Sequence, residues 1–219
     1  GLYNYVAYLL ADTNGISVKV AKYDGLDRVD LIENNEYGYC SLIKATKQVL
    51  DKIGVENKTL AKITPKERKE TRLWNPVALR EAVINAIVHN DYTSEVPPKF
   101  EFFDDRIEIT SFGSLPQGMT EKEFFEGYSV PRNKELMRVF RDLDLVEHLG
   151  SGVPRILRSY GKECFKFTEN FLRMIFPATA QDTAQVTAQD TAQVTAQVKE
   201  LIKILSEEMD RQEIQDMLG

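Results

Sequence analysis

The sequence predicts an α+β fold, a two-layer sandwich of helices on a mostly antiparallel sheet. Three observations carry that expectation. Residues 16–22 alternate apolar and polar side chains, as a strand with one buried face does. Two hairpins can be read directly, 99–103 with 106–110 across Asp104-Asp105 and 164–168 with 171–176 around Glu169-Asn170. Between them lie segments with apolar residues at helical spacing, which need a sheet face to cover.

In chain order, the first strand turns at Asp24-Gly25 and pairs with residues 29–33. Residues 39–53 read as a helix with Leu42, Ile43, Val49, Leu50 and Ile53 along one side, stopped by Gly54. Short strands and basic residues follow over 59–74. Asn75 and Pro76 open the next helix, one as cap and the other at the position where a missing N–H costs nothing. In this helix Leu79, Val83, Ala86 and Ile87 share one face, while Glu81, Asn85 and His89 recur every fourth residue on the other. A carboxylate one turn before an amide suits a site where one group polarises water and the next holds a metal ion; an ordinary solvated helix face fits the same periodicity.

After the hairpin, Thr120-x-x-Glu123 is a capping box opening a short helix over 121–127. Asn133 is expected to cap a helix with Leu136, Val139, Phe140 and Leu143 as its apolar stripe. Residues 153–160 form a helix that stops at Gly161. Gly150-Ser151-Gly152 leads into it, a turn whose exposed N–H groups face the positive helix end and make a phosphate seat; a plain helix cap is the alternative.

From residue 179 to 198 the chain repeats Thr-Ala-Gln-(Asp/Val) every four residues, a spacer or a strand or helix that pairs with another copy. Val194, Val198, Leu201, Ile202, Leu205 and Met209 then restore helix periodicity, and Asp210-x-x-Glu213 caps a second helix. These two helices match the opening of a winged helix-turn-helix, or a helix hairpin used for dimerisation. The expected division is therefore a connecting α/β region (1–74) packed with a main domain (75–176), a linker (177–195) and a small helical segment (196–219).

The 219 residues suffice for one sizeable domain and a small module, and 42% hydrophobic with 28% charged residues is ordinary for a soluble protein. No apolar run is long enough to span a bilayer, and the start is not a signal peptide; without an initiator Met it reads as a cut within a longer chain. Cys40 and Cys164 show no metal spacing and are expected as reduced thiols in the cytoplasm. From Pro177 onward three basic and eight acidic residues carry −5 of the net −6, and no basic patch stands out as a nucleic-acid footprint. No Gly-x-x-x-x-Gly-Lys-(Ser/Thr) occurs, which excludes a P-loop motor.

Glu81-x-x-x-Asn85-Ala86 resembles the N-box of the GHKL (Bergerat-fold) ATPases. The longer string from Leu79 to Tyr92 is similar to one branch of them, the histidine-kinase-like ATPase domain of bacterial transcriptional regulators labelled RecG-related and associated with a Schlafen AlbA-type domain. Arg106-Ile-Glu-Ile-Thr-Ser-Phe-Gly113-Ser-Leu-Pro116, Ser129-Val-Pro-Arg132-Asn133 and Glu147-His-Leu-Gly150-Ser-Gly152-Val-Pro-Arg-Ile156 agree with that branch in order. The resemblance covers residues 1–176 and places the bulk of the AlbA-type domain before residue 1.

It implies ATP and Mg²⁺ as cofactors, with Glu81 as the base that activates water and Asn85 as the metal ligand. Gly150, Ser151 and Gly152 would fall in the second glycine box, Arg132 and Asn133 in the ATP lid, and His89 beside the phosphates or at the helix end. The departure is the first glycine box. There Thr110 or Ser111 stands in place of the aspartate that accepts the adenine amino group, and Gly113 is its one glycine. A hydroxyl accepts that bond without charge assistance.

The expected function is a nucleotide-switched regulator that binds DNA through its C-terminal winged helix, as a homodimer and without a membrane. Its rival is a non-enzymatic dimerisation and DNA-binding protein on a degenerate ATPase-like scaffold. A histidine kinase is disfavoured, because His89 and His148 both lie inside the ATPase-like segment.

Overall fold

The computed structural model describes residues 4–63, 66–116, 118–146 and 151–179. The repeat beyond Thr179, the helices expected over 196–219, and Gly150 lie outside the described residues.

A six-stranded sheet in the order β2-β1-β5-β6-β8-β7 forms one layer. Its strands are β1 (Ser17–Asp24), β2 (Asp30–Gly38), β5 (Lys99–Phe102), β6 (Arg106–Phe112), β7 (Phe165–Phe167) and β8 (Phe171–Pro177). Only β1 and β5 run parallel; every other neighbour is antiparallel. A separate hairpin joins β3 (Thr59–Ile63) to β4 (Arg68–Arg72). The helices are α1 (Tyr5–Leu10), α2 (Leu42–Glu56), α3 (Pro76–Val88), α4 (Glu121–Phe125), α5 (Lys134–Asp142) and α6 (Gly152–Tyr160). An α+β sandwich is thus what the chain forms, and residues 1–179 make one compact unit. The connecting region and the main domain share that unit, with β1 completing the sheet beside β5.

Alternation places Val18 and Val20 of β1, Phe100 and Phe102 of β5, Ile107 and Ile109 of β6 and Met174 and Phe176 of β8 on the helix side, all buried. α3 is the central helix of the other layer and packs against α2 and α6. Its small residues Ala78, Ala82 and Ala86 are buried together with Leu79, Val83, Ile84, Ile87 and Val88. Asn75 caps it as expected, its side chain accepting from Val77 and Ala78 N–H. The indole of Trp74 donates to the Phe176 carbonyl at 3.0 Å and ties the start of α3 to β8.

Three expectations shift. α2 continues past Gly54 to Glu56, since a single glycine costs a helix only about 1 kcal/mol and Ile53 and Glu56 are buried by packing. β2 extends to Gly38 because its whole length finds a partner in β1. Leu143 is exposed beyond the end of α5, whose buried residues are Leu136, Met137 and Phe140.

Candidate functional site

The polar row of α3 does not face open solvent. The helix is buried nearly all round, and Glu81, Asn85 and His89 instead line a pocket of about 240 Å³. Ser111 and Gly113 at the end of β6, Arg132, and Ser151 with Gly152 at the start of α6 complete its polar side. Leu115, Met119, Tyr128, Val130, Leu172 and Met174 form an apolar wall. A mostly apolar cleft with a few convergent polar groups is the usual form of a small-molecule site.

Glu81, Asn85 and Gly152 meet closely. A Cβ added to Gly152 would lie 2.9 Å from Asn85 Nδ2 and 3.0 Å from Glu81 Oε2, so this backbone approaches both side chains only because it carries none. Glu81 is held by Arg155 at 2.8 Å and by Arg80 at 3.3 Å. Arg155 lies one turn into α6, so the same helix supplies the glycine and the guanidinium. The Asn85 side chain makes no hydrogen bond to another described residue, which leaves its amide open to the pocket.

At the end of β6 the structure separates the two candidate hydroxyls. Thr110 is buried on the sheet face turned away from the helices, outside the pocket, while Ser111 lines it. The cause is the two-residue period of the strand: Ile107 and Ile109 point to the core, and Ser111 follows their parity. Gly113 sits at φ +100°, and a Cβ there would meet the Arg132 guanidinium at 2.9 Å. Arg132 donates to the Ser114 carbonyl at 2.7 Å and lies 3.6 Å from Asp91, bracing the segment after β6 against the turn after α3.

Asn133 differs from its expected role as helix cap. It makes no side-chain cap on α5; its amide donates to the carbonyls of Val88 and Asn90, at 2.9 and 3.0 Å, and satisfies the open end of α3. Asn90, fully buried, accepts from Phe112 N–H and donates to the Val96 carbonyl. Together these two asparagines fix the exit of α3 against the end of β6. His89 follows the last turn of α3 in the pocket wall, where burial and then the Arg132 guanidinium push its pKa down to about 4, so the ring is neutral near pH 7.

Sequence reading missed Asn90 and Arg155. Strand parity identifies Ser111 over Thr110, and the helical spacing of Gly152 and Arg155 brings that arginine to Glu81; nothing local marks Asn90, whose partners come from later in the chain.

No group of three or more His, Cys, Asp or Glu that could hold a metal occurs among the described residues. The donor set at Asn85 and Glu81 fits a hard cation that keeps most of its ligands as water or ligand oxygens, as Mg²⁺ does.

Residues 96–176 match the family described as "Putative ATP-dependent DNA helicase recG C-terminal", so this segment carries an ATPase-like domain of that family. The match begins after α3, so the placement of Glu81 and Asn85 rests on the geometry above. The fold is that of the DIP2311 protein from Corynebacterium diphtheriae, with a TM-score of 0.68 over 81% of this chain and 38% of that chain, at 18% identity. The chain therefore spans well under half the length of that protein. No curated protein matches the chain. Among the described residues no helix is long and apolar enough to cross a membrane.

Proposed function

We propose that the pocket binds ATP with Mg²⁺ and that occupancy, rather than rapid turnover, is the output: a nucleotide-dependent regulator. The observation that carries this reading is the approach of Gly152 to Glu81 and Asn85. It sets the N-terminus of α6, with its positive dipole end, beside one carboxylate and one open amide. Asn85 would hold the metal, which neutralises phosphate charge when bound. Glu81, oriented by Arg155, would accept a proton from water. The apolar wall would take the base, with Ser111 as the polar group at its edge. Binding the closed and open arrangements of the 113–133 segment unequally is enough to make a switch. A homodimer, and DNA contacts through the winged helix that residues 196–219 would open in the full-length protein, complete the proposal.

A calorimetric titration of Mg·ATP into the protein tests it. Heat that depends on magnesium and is lost in Asn85→Ala supports the reading; no heat at millimolar ATP rejects it. One observation favours a rival, non-enzymatic scaffold: a serine stands where a carboxylate would grip adenine, and it gives the weaker hydrogen bond.

A further inference from the structure

The sheet face turned away from the helices carries a line of cations. Directly opposed residues in adjacent strands point to the same side of a sheet. Following the register from edge to edge, Glu36, Lys19, Lys99, Thr110, Arg173 and Lys166 stand in one row, one from each strand. Their chain neighbours Val18, Val20, Phe100, Ile109 and Met174 are buried under the helices, which fixes the row on the opposite face. Lys19 and Lys166 are exposed, and the side chains of Lys99 and Arg173 are 42% and 40% exposed. At about 4.8 Å per strand, the four cations span about 19 Å.

The carboxylates nearby are already engaged. Glu101 and Glu108, in the next row, are buried and grip Arg28 at 2.7 and 2.6 Å, with Arg106 also on Glu108 at 2.8 Å. Lys99 and Arg173 reach them only at 3.3 and 3.5 Å. Asp105 pairs with Arg106, and Glu36 accepts from the Ser17 and Tyr39 hydroxyls. Cations therefore outnumber carboxylates on this face, although the whole chain is acidic; most of the negative charge follows residue 176. On the other side of the row Phe112 meets Phe171 edge to face at 5.2 Å, and Phe171 is 37% exposed.

We propose that this sheet face binds single-stranded nucleic acid, with phosphates along Lys19, Lys99, Arg173 and Lys166 and a base stacked on Phe171. A flat basic strip beside an exposed ring suits a single strand, whose bases offer open π-faces; a duplex hides them. Thr110 keeps the middle of the row low, and its buried hydroxyl has no hydrogen-bond partner among the described residues. The site is separate from the pocket, and its test does not depend on nucleotide binding there.

The test is fluorescence anisotropy of a labelled oligothymidylate of about 20 nucleotides against the whole chain. Binding should weaken with salt at a slope near −3, as about four phosphate contacts on a single strand require. Lys19→Glu with Lys166→Glu, both at exposed positions, should lower affinity about tenfold or more and halve that slope, with the neutral Gln pair falling between. Phe171→Ala should cost about fivefold or more. Circular dichroism confirms that each variant is folded. The inference is overturned by no binding at ~10 μM protein, by unchanged affinity in the charge-reversed pair, or by a duplex of equal length binding as tightly.

Discussion

Replacing Gly152 by alanine separates the stability of the fold from the integrity of the pocket. The new methyl would sit 2.9 Å from Asn85 Nδ2 and 3.0 Å from Glu81 Oε2. Unstrained contacts lie at about 3.5 Å or more, so each group must retreat by roughly half an ångström. Both are the far ends of side chains and rotate at small cost. Crowding of about 1 kcal/mol is offset in part by the gain of alanine over glycine at the start of α6, which is at most about 1 kcal/mol. The midpoint of thermal unfolding should therefore move by no more than about 4 °C.

Ligand positioning is less forgiving, since a displacement of about 1 Å at reacting groups can cost about a hundredfold. Half that displacement of the metal-holding amide and the candidate base predicts a loss of Mg·ATP affinity of about tenfold, or about 1.4 kcal/mol. Differential scanning calorimetry and isothermal titration on the same preparation read the two effects. Unaltered nucleotide affinity in a folded Gly152→Ala protein would refute the placement of the nucleotide between α3 and α6, and destabilisation by several kcal/mol would refute the assumption that the two side chains yield easily.

Further outcomes follow from the same contacts. Asn133→Ala leaves the Val88 and Asn90 carbonyls without their donor and should cost about 1–3 kcal/mol in urea unfolding. Trp74→Phe removes the donor to the Phe176 carbonyl inside the core and should cost a similar ~1–3 kcal/mol, followed by circular dichroism. His89 has its folded pKa pushed down to about 4 from an ordinary 6.5, so the unfolded chain takes up its proton first. Stability from the neutral ring is complete above about pH 6.5 and is lost as pH falls toward 4; it amounts to at most about 3 kcal/mol, less because the ring is partly open to solvent. His89→Gln should flatten that limb of the stability profile, and an unchanged profile would contradict the shift.

Most of the sheet was legible because strand period and turn residues are local. The alternation of residues 16–22 and the two hairpins located β1, β5, β6, β7 and β8, and Asn75-Pro76 and Thr120-x-x-Glu123 marked two helix starts by side chains that cap within three residues. The parallel pairing of β1 with β5 was not legible, since it joins segments about eighty residues apart with no shared local signal. The row of Glu81, Asn85 and His89 was visible as a period, but its burial was not. Whether such a face meets water or a pocket is decided by what α6 and the end of β6 bring to it. Asn133 shows the same limit: a residue shaped for capping caps a different helix, because the carbonyls it satisfies arrive through tertiary packing.

Hydrogen exchange with and without Mg·ATP tests the nucleotide pocket most directly. Slowed exchange should concentrate in α3 near Glu81 to His89, at the first turn of α6, and across the 113–133 segment, with the β3–β4 hairpin unchanged. Protection elsewhere, or no protection at a concentration that saturates binding, would contradict the assignment of this pocket to nucleotide.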